Sequence, residues 1–185
     1  MMKKLLALMV CLALANSPSL MAADSASEGA NAILLLNVIS EGPLSARDVV
    51  FTNVETGAEL RVRNLQNISR LSETKFRMED IVAGEYYLSS IYPTLNRNDN
   101  ASRIDLDESS GIITILPNTI NYIGDLIVTS EETGRGIETS FTYQANGVTL
   151  QSAAASETAN FQEMDTVVSI AGNQPVMVDK RLLGL

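Results

Sequence analysis

The chain has 185 residues and a net charge of −9 at pH 7, with no histidine, no tryptophan and one cysteine. Without histidine, the Ser-His-Asp and Cys-His catalytic arrangements are excluded, as are nearly all zinc sites. The acidic charge argues against binding nucleic acid or an anionic membrane surface, because both would repel the protein.

The first 23 residues have the pattern of a signal peptide. Lys3 and Lys4 precede an apolar run, residues 5–15, and Ala22-Ala23 offers small residues for cleavage. The run is shorter than the roughly 20 residues that a membrane-spanning helix needs. We therefore expect an exported protein without a stable membrane span after cleavage, located in the periplasm or, alternatively, at the cell surface or in the medium. An uncleaved anchor is the remaining alternative.

The single cysteine, Cys11, lies inside the apolar run. A lipoprotein signal would place a small residue before it, but Val10 stands there. Cleavage before Asp24 leaves 162 residues with 11 basic against 22 acidic side chains, a net charge of −11. That length suits one domain, which packing alone must stabilise because no cysteine remains for a disulfide.

The first predicted strands follow a polar lead-in at residues 24–30. Residues 32–39 are apolar on both faces, which predicts a strand in the middle of a sheet. Residues 49–54 and 59–65 are predicted to form a hairpin through the turn at 55–57. A polar connection is expected to follow at residues 66–74.

The middle of the chain continues the strand pattern. Residues 75–81 alternate between polar and apolar, Gly84 marks a corner, and residues 86–92 form the next strand. Short strands are predicted at 103–106 and 111–116. Residues 120–128 should form a long core strand, in which Gly124 marks a bulge or a close backbone approach.

The carboxyl-terminal third is less regular. Residues 138–144 alternate, Asn146-Gly147 indicates a type I′ turn, and residues 148–150 are expected to pair back. A single helix is predicted from about 153 to 167, followed by an apolar tail, residues 176–185, that docks on the sheets.

These elements predict a mainly β protein, an antiparallel Ig-like (prealbumin-like) β-sandwich with a short C-terminal helix and tail. The predicted organisation is a signal peptide at 1–23, a lead-in at 24–30, a β-sandwich at 31–150 and a helical extension at 151–185.

One stretch carries a family resemblance. Val49–Gly57, followed by Phe76-x-Met78-x-x-Ile81-x-Ala83-Gly84-x-Tyr86-x-Leu88, resembles the prealbumin-like or carboxypeptidase-regulatory-like β-sandwich. Residues 111–128 also resemble the closing strands of exported bacterial proteins of that kind whose function is unassigned. The resemblance implies a scaffold or interaction module without catalytic residues. Gly84 would permit the sharp corner, and the Tyr86 hydroxyl would reach a backbone partner beside it.

The best cation candidate is an oxygen-rich polar loop, because Ca²⁺ prefers carboxylate and amide oxygens. Its candidate ligands are Asn96, Asn98, Asn100, Asp105 and Asp107. The match to an EF-hand fails at several positions, so a solvated turn is the competing interpretation, and the sequence predicts no cofactor.

Two catalytic alternatives are weak. Glu131, Glu132 and Glu138 are carboxylates of the type used in glycoside hydrolysis, but they flank a turn that we expect to be exposed. Ser72 and Lys75 have Ser-x-x-Lys spacing at a junction between loop and strand, without the supporting motifs.

The sequence therefore favours a non-enzymatic binding or structural module of the bacterial cell envelope whose partner is an envelope protein. One alternative is a subunit or accessory factor of a surface assembly that uses edge-strand pairing, with residues 32–39 as the donated strand. A second alternative is a small hydrolase that depends on carboxylates.

Overall fold

The computed structural model describes residues 31–63, 71–92 and 103–185, apart from the side chains of residues 71–76. The expected signal peptide and lead-in lie outside the described residues. The strands within them are β1 (Asn31–Glu41), β2 (Asp48–Asn53), β3 (Glu59–Val62), β4 (Leu71–Val82), β5 (Gly84–Tyr92), β6 (Ile104–Asp105), β7 (Ile112–Ile115), β8 (Thr119–Thr133), β9 (Gly136–Gln144), β10 (Asp165–Val168) and β11 (Val176–Met177). The helices are α1 (Gly147–Ser156) and α2 (Thr158–Glu163), with 3-10 turns at Glu108–Ser110 and Lys180–Leu183.

The described strands form two sheets, which confirms the mainly β sandwich. Sheet A has the order β11-β10-β8-β1-β4, with β9 also paired to β8. Sheet B has the order β3-β2-β5-β6, with β7 also paired to β5. Most pairs are antiparallel, but β1 and β10 both run parallel to β8, which corrects the purely antiparallel expectation. The expected connection at 66–74 is also shorter than predicted, since β4 begins at Leu71.

Strand β1 is buried on both faces, as its apolar run predicted. Leu34, Leu36 and Val38 contribute to the core between the two sheets. Ile33 and Leu35 belong to a second apolar cluster on the outer face of sheet A, together with residues of α1, α2 and the tail. The C-terminal segment therefore forms a third layer that covers the far side of β1.

Gly124 produces the irregularity expected in the long strand. Its φ is +93°, and a Cβ atom there would lie 2.5 Å from Ile170 Cδ1 and 3.0 Å from the carbonyl oxygen of Gln144. The pairing register between β1 and β8 shifts at the same level. Both parts of the prediction, the bulge and the close approach, hold.

The prediction for residues 146–167 is wrong in detail. Asn146 does not open a type I′ hairpin, because its side-chain oxygen accepts from the backbone N–H groups of Val148 and Thr149 and caps α1. Residues 148–150 are therefore helical and do not pair back as a strand. The single helix expected over 153–167 is replaced by the end of α1, by α2 and by β10.

The tail docks on the sheet, as expected. Strand β11 pairs with β10, and Leu183 is buried in the second cluster beside Tyr122. The segment 151–185 thus adds two strands to sheet A as well as helical structure.

Candidate functional site

Among the described residues, three arginines converge on one tyrosine at the end of sheet B. The guanidinium carbons of Arg47, Arg61 and Arg103 lie 5.2, 5.0 and 5.7 Å from the centre of the Tyr92 ring. These distances are within the range of cation–π attraction. The four residues, which we call the Tyr92 cluster, come from the segment before β2, from β3, from the segment before β6 and from the end of β5.

The strand register explains why these side chains meet. Val49 and Ile91 contribute to the core between the sheets, so their neighbours along the strands, including Tyr92, face the outside of sheet B. Arg61 alternates with the core residue Val62 and lies on the same outer face. Tyr92 is only 6 % exposed.

The hydrogen bonds of the cluster meet at the Tyr92 phenol. Arg61 Nη2 donates to the phenol oxygen at 3.0 Å, and Arg103 Nη1 donates to it at 3.4 Å. Arg61 Nε is buried and makes no hydrogen bond within the described part of the chain. Because both guanidinium groups approach the phenol oxygen as donors, the hydroxyl proton of Tyr92 is directed away from them.

Two carboxylates among the described residues form ion pairs with these arginines. Arg47 forms an ion pair of 3.4 Å with Asp48, and Arg103 pairs with Asp105. The hydrogen bond from Arg103 lowers the pKa of Asp105, helped by one from the Ser90 hydroxyl, and the same contact with Asp105 raises the pKa of Arg103. Within the described residues, three guanidinium groups and two carboxylates meet in this part of the fold, in a protein whose net charge is −9.

The cluster is suited to binding an oxyanion. Guanidinium groups and a phenol proton supply hydrogen-bond donors, and planar guanidinium groups match carboxylate or phosphate oxygens in pairs. Arg47 is 4 % exposed and forms the buried part of the cluster. Arg103 retains 42 % of its side-chain surface and can reach a ligand.

The predicted calcium ligands are not brought together within the described residues. Asn96, Asn98 and Asn100 lie outside those residues. Asp105 is paired with Arg103, whereas Asp107 accepts from Ser109 N at 2.9 Å and caps a 3-10 turn. Over 31–63, 71–92 and 103–185, no cluster of three or more potential metal ligands occurs.

The predicted corner lies at the start of β5. The Tyr86 hydroxyl donates to the carbonyl oxygen of Val82 at 2.8 Å, across the turn. Gly84 has a φ of +149°, and a Cβ atom there would lie 3.0 Å from the Asn53 amide. Both residues lie at the corner between β4 and β5.

The residues of the two catalytic alternatives lie in strands of sheet A. Glu131, Glu132 and Glu138 are exposed on the β8–β9 hairpin, where Glu131 lies directly opposite Glu138. Ser72 and Lys75 both lie within β4, which corrects their expected position at a junction.

Sequence reasoning missed a buried carboxylate on the opposite sheet. Asp125 is 2 % exposed and accepts from the Tyr122 hydroxyl at 2.6 Å, from Asn146 Nδ2 at 2.8 Å and from the Thr149 hydroxyl at 3.2 Å. Burial, followed by the bond to Asp125, raises the pKa of Tyr122 well above its usual range. Since three donors satisfy the carboxylate, this group anchors α1 to sheet A.

In the described part of the chain, no helix is both long and apolar enough to cross a membrane. Comparisons with protein-family models, with curated proteins and with solved structures found no match to this chain.

Proposed function

We propose that this protein is an exported, non-enzymatic binding module of the bacterial cell envelope that recognises an anionic group through the Tyr92 cluster. The observation that carries the proposal is the convergence of Arg61 and Arg103 on the Tyr92 hydroxyl, which brings the N–H donors of both guanidinium groups close together. The pattern of residues 1–23 supports export. The absence of histidine, with the only cysteine in that leader, supports a binding role over catalysis.

The partner in this proposal is an envelope protein that presents a carboxylate-rich surface. Two acidic proteins repel each other at a distance, so a local cationic site defines where and in which orientation they dock. The prealbumin-like assignment belongs to the same proposal, and the Tyr86 corner and the β2–β3 hairpin support it. A surface assembly that uses residues 32–39 as a donated strand is less favoured, because β1 already pairs with β4 and β8.

The test follows the Nε–H resonances of the arginines by NMR while inorganic phosphate, and separately acetate, is added to residues 24–185 at constant ionic strength. We expect saturable shifts of the Arg61 and Arg103 resonances. Arg103→Gln should weaken the response at least tenfold. Arg135→Gln is the matched control, because Arg135 is exposed in the β8–β9 turn, away from the cluster. The proposal would be refuted if the shifts rose linearly with the concentration of the added anion, or if the Arg135 resonance shifted to the same extent.

A further inference from the structure

A cavity of about 230 Å³ lies on the outer face of sheet A, between α1 and the C-terminal tail. Its walls include Leu150 of α1, Val168 of β10, and Val178 and Leu183 of the tail. Gly147 also lines the cavity, and a Cβ atom placed on it would meet no heavy atom within 4 Å. Gly147 is itself exposed, so the space beside the first turn of α1 opens to solvent.

The polar side chains that reach this cavity are already satisfied. The Tyr122 hydroxyl and the Asn146 amide nitrogen both donate to Asp125, at 2.6 and 2.8 Å. The Asn146 side-chain oxygen accepts from the backbone N–H groups of Val148 and Thr149. A bound group would therefore face mainly carbon atoms, and a charged or strongly polar group would lose its hydration without gaining partners.

The opening favours a small molecule over a protein segment. Gln151 Nε2 donates to the carbonyl oxygen of Leu182 at 2.9 Å and links α1 to the tail beside the cavity. A polypeptide entering here would have to break this link. The cavity is larger than an apolar cavity of about 150 Å³ that takes up benzene.

We propose that this cavity binds a small uncharged hydrocarbon molecule, larger than a benzene ring, at a site independent of the Tyr92 cluster. Leu182, which is 67 % exposed at the opening, would be partly covered by the bound molecule. The driving force is removal of apolar surface from water, without any ion pair.

The test uses N-phenyl-1-naphthylamine, an uncharged fluorescent probe, with residues 24–185. We expect a saturable rise in fluorescence that phosphate does not reduce and that Arg103→Gln leaves unchanged. Val168→Phe and Gly147→Leu, which fill the cavity, should each weaken binding at least tenfold. Val148→Phe is the matched control, because Val148 is 74 % exposed and does not line the cavity; its affinity should stay within twofold of the unsubstituted protein.

Backbone amide shifts of the unsubstituted protein provide a second measurement that does not depend on how the variants fold. Probe-induced shifts concentrated at Gly147, Leu150 and Leu183 would support the proposal. Absence of saturable binding, equal binding by the filled variants and the control, or shifts located elsewhere would overturn it. Because the probe carries no charge, these outcomes are separate from the fate of the anion-binding proposal.

Discussion

Tyr122 and Asp125 stand three residues apart in β8 and yet meet on the same face of sheet A, joined by a hydrogen bond of 2.6 Å. In a regular strand, residues at that spacing point to opposite faces. The bulge at Gly124 reverses the alternation, so that Tyr122 faces α1 while Ile123 and Leu126 face the core between the sheets. One glycine thus allows a buried carboxylate to hold the start of α1.

Asp125→Asn should lower the free energy of unfolding by about 2–3 kcal/mol, since an amide nitrogen would face donors that now point at a carboxylate oxygen. Urea unfolding at pH 7 measures the loss. The matched control is Asp107→Asn, which changes an exposed carboxylate to a side chain that also caps helical turns and should cost less than about 0.5 kcal/mol. Equal losses in the two variants would contradict the anchoring role.

Gly124→Ala should destabilise the protein by about 2–4 kcal/mol, because it combines a left-handed backbone with overpacking against Ile170 and Gln144. Thermal unfolding and urea titration both measure this change. Gly134→Ala provides the comparison, since a Cβ atom at Gly134 meets nothing within 4 Å and should alter stability by less than about 0.5 kcal/mol. If Gly124→Ala were as mild, the bulge would not need glycine.

Stability should fall steeply at alkaline pH, because burial raises the pKa of both Tyr122 and Tyr143. A raised folded-state pKa means that the tyrosines' contribution is complete below their unfolded value of about 10 and is lost as pH rises above it. Two such groups give a slope that is about 1.4 kcal/mol per pH unit at pH 10 and approaches about 2.7 kcal/mol per pH unit above it. Urea unfolding between pH 9 and 11 tests this.

Tyr143→Phe separates the two tyrosines. The Tyr143 hydroxyl is buried and has no hydrogen-bond partner within the described residues, so its removal should stabilise the protein by about 1 kcal/mol at pH 7. The same variant should halve the alkaline slope. An unchanged slope would show that Tyr143 ionises without penalty in the folded state.

Leu183→Ala should cost about 2–4 kcal/mol, because Leu183 is buried in the cluster on the outer face of sheet A. The adjacent Leu182→Ala changes an exposed side chain and should cost less than about 0.5 kcal/mol. Urea unfolding of both variants reports whether the tail contributes to the stability of the whole sandwich. Similar small effects would mean that the tail docks weakly.

Expression of the full-length chain in a bacterial host should yield an envelope-released protein whose amino terminus is Asp24. Intact-mass spectrometry of the periplasmic extract measures this directly. Replacing Lys3 and Lys4 with glutamate removes the positive n-region and should leave the uncleaved chain in the cytoplasm. An unprocessed chain retained in the membrane fraction would instead indicate an uncleaved anchor.

The sequence was sufficient to predict the burial or the backbone geometry of residues where the local pattern of apolar residues and glycine determines it. The run at 32–39 has apolar residues at both odd and even positions, and β1 is indeed buried on both faces. Glycine at position 124 of an otherwise apolar strand indicated the bulge. These inferences depend on local periodicity alone.

Asn146-Gly147 could not be assigned in the same way. Asparagine favours both type I′ turns and helix N-caps, and glycine is tolerated in each. Burial of Thr149, Leu150 and Ala154 against sheet A selects the helix, and that contact involves β strands far away in the chain. Tertiary packing therefore decided an ambiguous local signal.

The Tyr92 cluster was beyond local reasoning for a related reason. Arg47, Arg61 and Arg103 belong to separate segments, and only the pairing register of sheet B brings them around one ring. The sequence alone does not show which of its five tyrosines has cationic neighbours. To find the cluster from the sequence, one would have to predict the strand register of sheet B and assign Arg61 and Tyr92 to its outer face.

The position of β1 between β4 and β8 also determines the order in which the chain can fold. Ile33 lies beside Ile120, so the centre of sheet A closes only after the intervening segments have been made. Contacts at such sequence separation form slowly, because the entropy of closing the loop must be overcome before they stabilise the chain. During synthesis from the amino terminus, β1 therefore lacks its β8 neighbour, and one edge of its backbone stays unpaired on that side until β8 has been made.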